Sequence, residues 1–244
     1  MKIIVANWKM NLNVPESYAY FVRLSEAIEP GPDVEVVLCP TYLALQTLNM
    51  QNIPGRFKLG AQNCNAEDKG AQTGEVSAAM LVGVADYVIV GHSERRKLFG
   101  ETDYQINRKV LAALRHGLKP ILCIGEDKNE DIDETLRCQI DSGLLCVRPE
   151  QIGQIIIAYE PVYAIGSGRT SSMNDIAKAV GIIKSQINYM FGSDAETKIT
   201  YGGSVDETNT AEILSIPGVD GLLVGGASLN VVKFAKIVEI AREL

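Results

Sequence analysis

One acid, Glu160, follows the apolar run "IIIAY" and is succeeded at once by a proline and by "VYAIGSGRT". A carboxylate there is poorly solvated, the setting of a general base that works near neutral pH. The glycines beyond it relax the usual backbone restrictions on the next segment. Other polar groups stand at comparable places: Asn7 and Lys9 close "IIVAN", His92 follows "DYVIVG", and "GGS" (202–204) and "GGAS" (225–228) close two further apolar runs. A poorly solvated carboxylate fits a general base, and backbone N–H groups free of side-chain obstruction fit an anion. Singly, each has a simpler reading. Lys9 beside Trp8 matches a solvated surface charge, His92 a satisfied core histidine, and either glycine pair a tight turn. Their shared position at run ends favours chemistry, and the two glycine pairs together favour a phosphate cradle.

Other chemistries lack their signatures. "GSGRTS" (166–171) misses the third glycine of a dinucleotide fingerprint, and no GxxxxGK[ST] occurs. The two histidines are far apart, and the five cysteines (Cys39, Cys64, Cys123, Cys138, Cys146) show no CxxC spacing. No metal and no cofactor is therefore expected. An odd set of thiols suits a reduced, cytoplasmic protein, and "MKIIVANWKMN" holds too short an apolar run for a signal-peptide core. The acidic stretch 126–134 lacks the glycine of an EF-hand, and its later acids suit a helix start. His116 is explained by a helix C-terminus, with Gly117 as its cap.

These residues need elements to position them. Short apolar runs at 3–7, 34–39, 58–63, 86–91, 120–125, 155–159, 198–203 and 221–226 are too uniformly apolar for half-exposed strands and read as buried parallel ones. Between them the period becomes helical: Ile176, Ala179, Val180, Ile183, Ile187 and Met190 share a face behind an N-cap at Asn174, and Tyr18, Phe21, Val22 and Ile28 share one behind Pro15. Eight strand–helix units without a linker predict an α/β fold, a closed (β/α)8 barrel, with a doubly wound open sheet as the alternative. The 244 residues, 46% of them hydrophobic, suffice for one large core and predict a single catalytic domain over 1–244. A net charge of −7 disfavours nucleic acid or an anionic membrane surface as partner, while a local cradle still admits a small anion. No apolar run approaches the length that spans a bilayer.

"ANWKMN" (6–11), "GHSERR" (91–96), "AYEPVYAIGSG" (158–168), "YGGSV" (201–205) and "LLVGGASL" (222–229) resemble the triosephosphate isomerase family, in order and with similar spacing along the whole chain. The resemblance implies a cofactor-free and metal-free isomerase of glycolysis and gluconeogenesis that interconverts dihydroxyacetone phosphate and glyceraldehyde 3-phosphate through an enediolate. It implies that Glu160 moves the proton, neutral His92 polarises the carbonyl, Lys9 faces the developing oxyanion and Asn7 orients substrate. It further implies that N–H groups of Gly166, Ser204, Gly225 and Gly226 grip the phosphate beneath a closing loop, 161–171. Tyr163, Ser167, Arg169 and Ser171 depart from the tryptophan, threonine, lysine and alanine usual there, and Tyr163 is expected to reach Glu126. The segment 69–81 resembles the family's intersubunit loop, implying a homodimer. Thr73 and Glu75 would lie at its interface, with Glu94 and Arg95 as partners of that loop. Other readings are a different sugar-phosphate isomerase, an aldolase, which lacks an inward strand lysine here, or a non-catalytic phosphate-binding barrel.

Overall fold

Uniformly apolar strands bury both faces only when one face meets other strands and the other meets helices, and a closed barrel achieves this without an edge. The computed structural model describes residues 1–29, 31–52, 55–164 and 171–244. Strands β1 (Lys2–Asn7), β2 (Val34–Cys39), β3 (Lys58–Ala61), β4 (Tyr87–Val90), β5 (Lys119–Ile124), β6 (Ile156–Tyr159), β7 (Lys198–Tyr201) and β8 (Gly221–Val224) follow one another in chain order around the barrel. β1 closes it, pairing in parallel with β2 and with β8, which excludes the open sheet. Helices α1 (Val14–Ala27), α2 (Tyr42–Gln51), α3 (Ser93–Phe99), α4 (Asp103–Arg115), α5 (Ile132–Gly143), α6 (Met173–Phe191), α7 (Thr210–Leu214) and α8 (Val231–Arg242) occupy the connections.

Strand alternation divides the core. Ile3, Val5, Ile89, Ile121, Ile156, Ala158 and Leu223 cluster in the interior, whereas Ile4, Ala6, Val88 and Ile157 join the layer beneath the helices. Extending that alternation by one step turns Asn7, Glu160 and Gly225 inward at the carboxyl end of the barrel. The period of two thus delivers polar residues to one face.

Some boundaries differ from those the sequence suggests. β7 and β8 stop at Tyr201 and Val224, with Gly202 N–H still donating to the Tyr159 carbonyl at 2.8 Å before the chain turns. β3 stops at Ala61, and the Gln62 amide instead donates to the carbonyls of Lys9 and Cys39, both at 2.9 Å. The α6 cap is Ser172, whose hydroxyl accepts from Asp175 N–H at 3.1 Å; Asn174 lies inside the helix. On α1, Phe21 and Ile28 are buried as expected, but Tyr18 and Val22 are exposed. Ser17, Tyr20 and Leu24 complete the packed stripe, and the Tyr20 ring meets Trp8 edge-on at 4.7 Å. Asp131 caps α5, with Asp133 and Glu134 in its first turn, so the acidic stretch does start a helix.

A buried ion cluster anchors α4. Glu101 Oε1 accepts from Lys109 Nζ at 2.5 Å and from Arg95 Nε. Burial pushes the Glu101 carboxyl up, but the hydrogen bonds from Lys109 and Arg95 outweigh it and hold the group below the usual carboxylate range. A depressed folded value means the cluster stabilises fully above the unfolded carboxylate range and is lost as pH falls through the folded value. Glu101→Gln is expected to cost about 2–3 kcal/mol near neutral pH, because it removes the counter-charge of buried Lys109, which keeps only neutral acceptors such as Asn63 Oδ1 at 2.8 Å. Urea unfolding should show that gap narrowing below about pH 4.

Candidate active site

Glu160 emerges from β6 with 1% of its surface exposed. Its backbone and its side chain each fit because a neighbour lacks a side chain. A Cβ on Gly125 would sit 1.9 Å from the Glu160 carbonyl oxygen, and one on Gly202 would sit 2.9 Å from its Cγ. Oε1 lies 3.1 Å from His92 Nε2, and Oε2 accepts from Ser93 N–H at 3.1 Å.

His92 is the N-cap of α3, its Nδ1 accepting from Glu94 N–H at 3.2 Å. A ring nitrogen that accepts carries no proton, so this geometry fixes the neutral tautomer with its N–H on Nε2, directed at Glu160. Cys123 lies on the inner face of β5 beside Glu160; burial first, then the Glu160 charge, push its thiol well above the ordinary range. Cys39 is likewise buried and raised by burial, so neither thiol is a nucleophile, whereas Cys138 and Cys146 are exposed.

Asn7 and Lys9 reach the same place from β1. Lys9 adopts a positive φ of 51°, and its N–H donates to Asn7 Oδ1 at 3.0 Å, which orients the buried amide. Lys9 Nζ pairs with Glu94 Oε1 at 2.6 Å.

Asn7, Lys9, His92 and Glu160 share a cavity of about 510 Å³ with Gly202, Gly203, Ser204, Gly225 and Gly226. The chain runs from Gly226 through a short turn of 3₁₀ helix, Gly226–Leu229, into α8. Backbone N–H groups at such a start lack intrahelical acceptors and favour an anion. Asp206, Asn230 and Lys233 also line the cavity and escape a reading of the sequence centred on strand ends. The only signal for Lys233 was a lysine three residues after a cap-forming asparagine. Gly166 lies outside the described residues, as do Ser167 and Arg169. His116 sits apart, at the C-cap of α4 with Nε2 2.7 Å from Asp68, as its helix-terminal reading implied.

Tyr163 does not meet Glu126. Its hydroxyl is 3.0 Å from Ser171 Oγ, while Glu126 Oε1 accepts from Tyr159 OH at 3.1 Å. Tyr159 stands beside Glu126 at the end of β6, and Tyr163 lies one turn of 3₁₀ helix further on, facing the other end of its own loop. Ser171 N–H in turn donates to Tyr201 OH at 3.4 Å. Burial raises the Glu126 carboxyl, so the hydroxyl of Tyr159 meets a weakly solvated acid.

At the expected interface, Thr73 is exposed and Glu75 Oε2 accepts from Asn65 at 3.0 Å. Glu94 and Arg95 are engaged within their own chain, with Lys9 and Glu101 respectively. Among the described residues no cluster of three or more His, Cys, Asp or Glu could hold a metal ion, and no helix is long and apolar enough to cross a membrane.

Fold and cavity together define a (β/α)8-barrel enzyme with its site at the carboxyl ends of the strands. The sequence model of the triosephosphate isomerase family matches residues 2–241, and the chain belongs to that family. Similar proteins named triosephosphate isomerase include one from Symbiobacterium thermophilum, 44% identical with 99% of this chain and 97% of that protein covered. Those of Acetivibrio thermocellus and Synechocystis are each 43% identical; both alignments cover 97% of this chain and 97% and 98% of the respective relatives.

Proposed function

We propose that this chain interconverts dihydroxyacetone phosphate and D-glyceraldehyde 3-phosphate, with residues 1–244 acting as one catalytic domain. The observation that carries the reading is the contact between a buried glutamate and a neutral imidazole, 3.1 Å apart, in a cavity that also holds the glycine turns after β7 and β8. Glu160 takes the proton from the carbon next to the carbonyl and returns it to the neighbouring carbon. The Nε2–H of His92 donates to the carbonyl oxygen as it gains charge, and Lys9 adds a positive charge to the same region. Asn7 orients the substrate, and backbone N–H groups of Gly166, Ser204, Gly225 and Gly226 hold the phosphate.

The magnitudes require this division of labour. A carbon acid beside a carbonyl is far weaker than a carboxylic acid, so Glu160 needs the product charge stabilised. General base catalysis supplies about 10²–10⁴-fold, and preorganised donors in a water-poor cavity supply a comparable factor. Gripping the remote phosphate favours closure of 161–171, which excludes water and strengthens both effects. Glu160 Oε2 accepts from Ser93 N–H, which leaves Oε1 facing His92 across the cavity.

Supplying glyceraldehyde 3-phosphate to purified protein without added metal or cofactor should give dihydroxyacetone phosphate. No turnover would leave the non-catalytic phosphate-binding reading. A Schiff-base aldolase is disfavoured because Lys9, which lines the cavity just past the carboxyl end of β1, is ion-paired with Glu94.

The cytoplasm is the proposed location and a homodimer the proposed assembly. Glu75, Arg95 and Phe99 line one surface cavity of about 290 Å³, and Met10, Leu98 and Phe99 are exposed. That apolar surface suits a second copy whose Thr73 approaches Asn7 and Lys9. Sedimentation at micromolar protein should give twice the chain mass of 26.5 kDa; a monomer would overturn the assembly.

A further inference from the structure

We propose that Lys233 is a second cationic contact for the substrate phosphate, drawn from an ion pair with Glu207, a role that presupposes the triose phosphate reading above. Lys233 lies in the first turn of α8, where the helix dipole disfavours a cation. The first turn of α8 holds no acid, and Asn230 Oδ1 already caps the N–H groups of Val232 and Lys233 at 3.0 and 3.1 Å. Helix stability therefore gives no reason for a lysine at this position.

The cavity gives one. Lys233 lines it together with Ser204, Gly225 and Gly226, half exposed, with Nζ 3.2 Å from Glu207 Oε1. Glu207 Oε2 is buried and has no hydrogen-bond partner among the described residues, so this is a single-point pair. Such pairs at a solvated surface contribute little, and little holds the lysine in place. The same wall carries Asp206, kept ionised by hydrogen bonds from Thr208 above all, with Lys233 adding to the effect. A fixed negative charge beside a phosphate cradle repels the ligand unless a cation offsets it. Lys9 is bound to Glu94 and its Nζ also lies beside the cradle, 3.8 Å from where a Cβ on Gly225 would sit. Lys233 is the second lysine on the cavity wall, beside Asp206 and Asn230 on the β7–β8 flank of the cradle. A phosphate dianion offers several charged oxygens where Glu207 offers one, so exchange of partner favours the phosphate. It requires only rotation of the lysine side chain.

The test compares steady-state kinetics of three variants, with inhibition by inorganic phosphate as a second readout. Lys233→Ala should raise KM and weaken phosphate inhibition roughly three- to ten-fold while kcat stays within about two-fold. Lys236→Ala removes the same charge from the same helix but faces Glu239, away from the cavity, and should leave KM unchanged. Glu207→Gln releases the lysine and should lower KM. The fall of kcat/KM with added salt should also be shallower for Lys233→Ala than for the parent. An unchanged KM in Lys233→Ala, an equal effect of Lys236→Ala, or a raised KM in Glu207→Gln would each overturn the assignment. Absence of turnover in the parent protein would instead overturn the reading beneath it.

Discussion

Glu160→Gln is expected to lower kcat by about 10²–10⁴-fold while inorganic phosphate inhibits or binds as before. The substitution preserves volume in a site where Gly125 and Gly202 leave room for this side chain and no larger one. The glutamine carbonyl can still accept from Ser93 N–H, so the loss is of a base and not of a fold. On the proposed reading the phosphate binds at the glycine turns after β7 and β8, so this substitution should leave its affinity unchanged. A second readout isolates the step. In deuterated water the parent protein should exchange the hydrogen next to the substrate carbonyl with solvent, since a carboxylate that takes a proton can also lose it. Glu160→Gln should not. Activity within ten-fold of the parent, or exchange at the parent rate, would mean that another group abstracts the proton. Among the described residues that line the cavity the other carboxylate is Asp206, which is partly exposed.

How much of this was legible in the sequence depends on which physical rule placed each residue. Asn7, Glu160 and Gly225 could be located because strand alternation is rigid: once Ile3, Ile156 and Leu223 face the interior, the next inward positions are determined. His92 was legible as a strand-end residue, but its ring orientation depends on capping α3 through Glu94 N–H, which no spacing encodes. Helix faces are less well determined than strand faces. On α1 the spacing admits a stripe through Tyr18 and Val22 as readily as one through Ser17, Tyr20 and Leu24, and packing against Trp8 decides. Tyr163 was misassigned for a related reason. Two tyrosines, at 159 and 163, compete for Glu126, and the one nearer along the strand wins. The place of Lys233 three residues after a capping asparagine does not reveal the cavity, which is assembled by residues that follow β1, β4, β6, β7 and β8.

His92→Asn should lower kcat by about 10²–10³-fold, the usual cost of deleting one donor aimed at a developing oxyanion, with little change in thermal stability. Asparagine is chosen because His92 has two jobs at opposite ends of one ring. Nδ1 caps α3, and asparagine is among the best N-caps, its short side-chain oxygen able to accept from the same turn of backbone N–H groups. Nε2 reaches Glu160 across the cavity, and the shorter amide does not extend that far. His92→Ala removes both functions and should cost about 1 kcal/mol of stability in addition to the activity. If the asparagine variant keeps full activity, the imidazole is only a cap. If both variants lose stability equally, the ring's packing matters more than its cap. The expected pattern, activity lost in both and stability lost in the alanine variant alone, assigns the cap to Nδ1 and the catalytic hydrogen bond to Nε2.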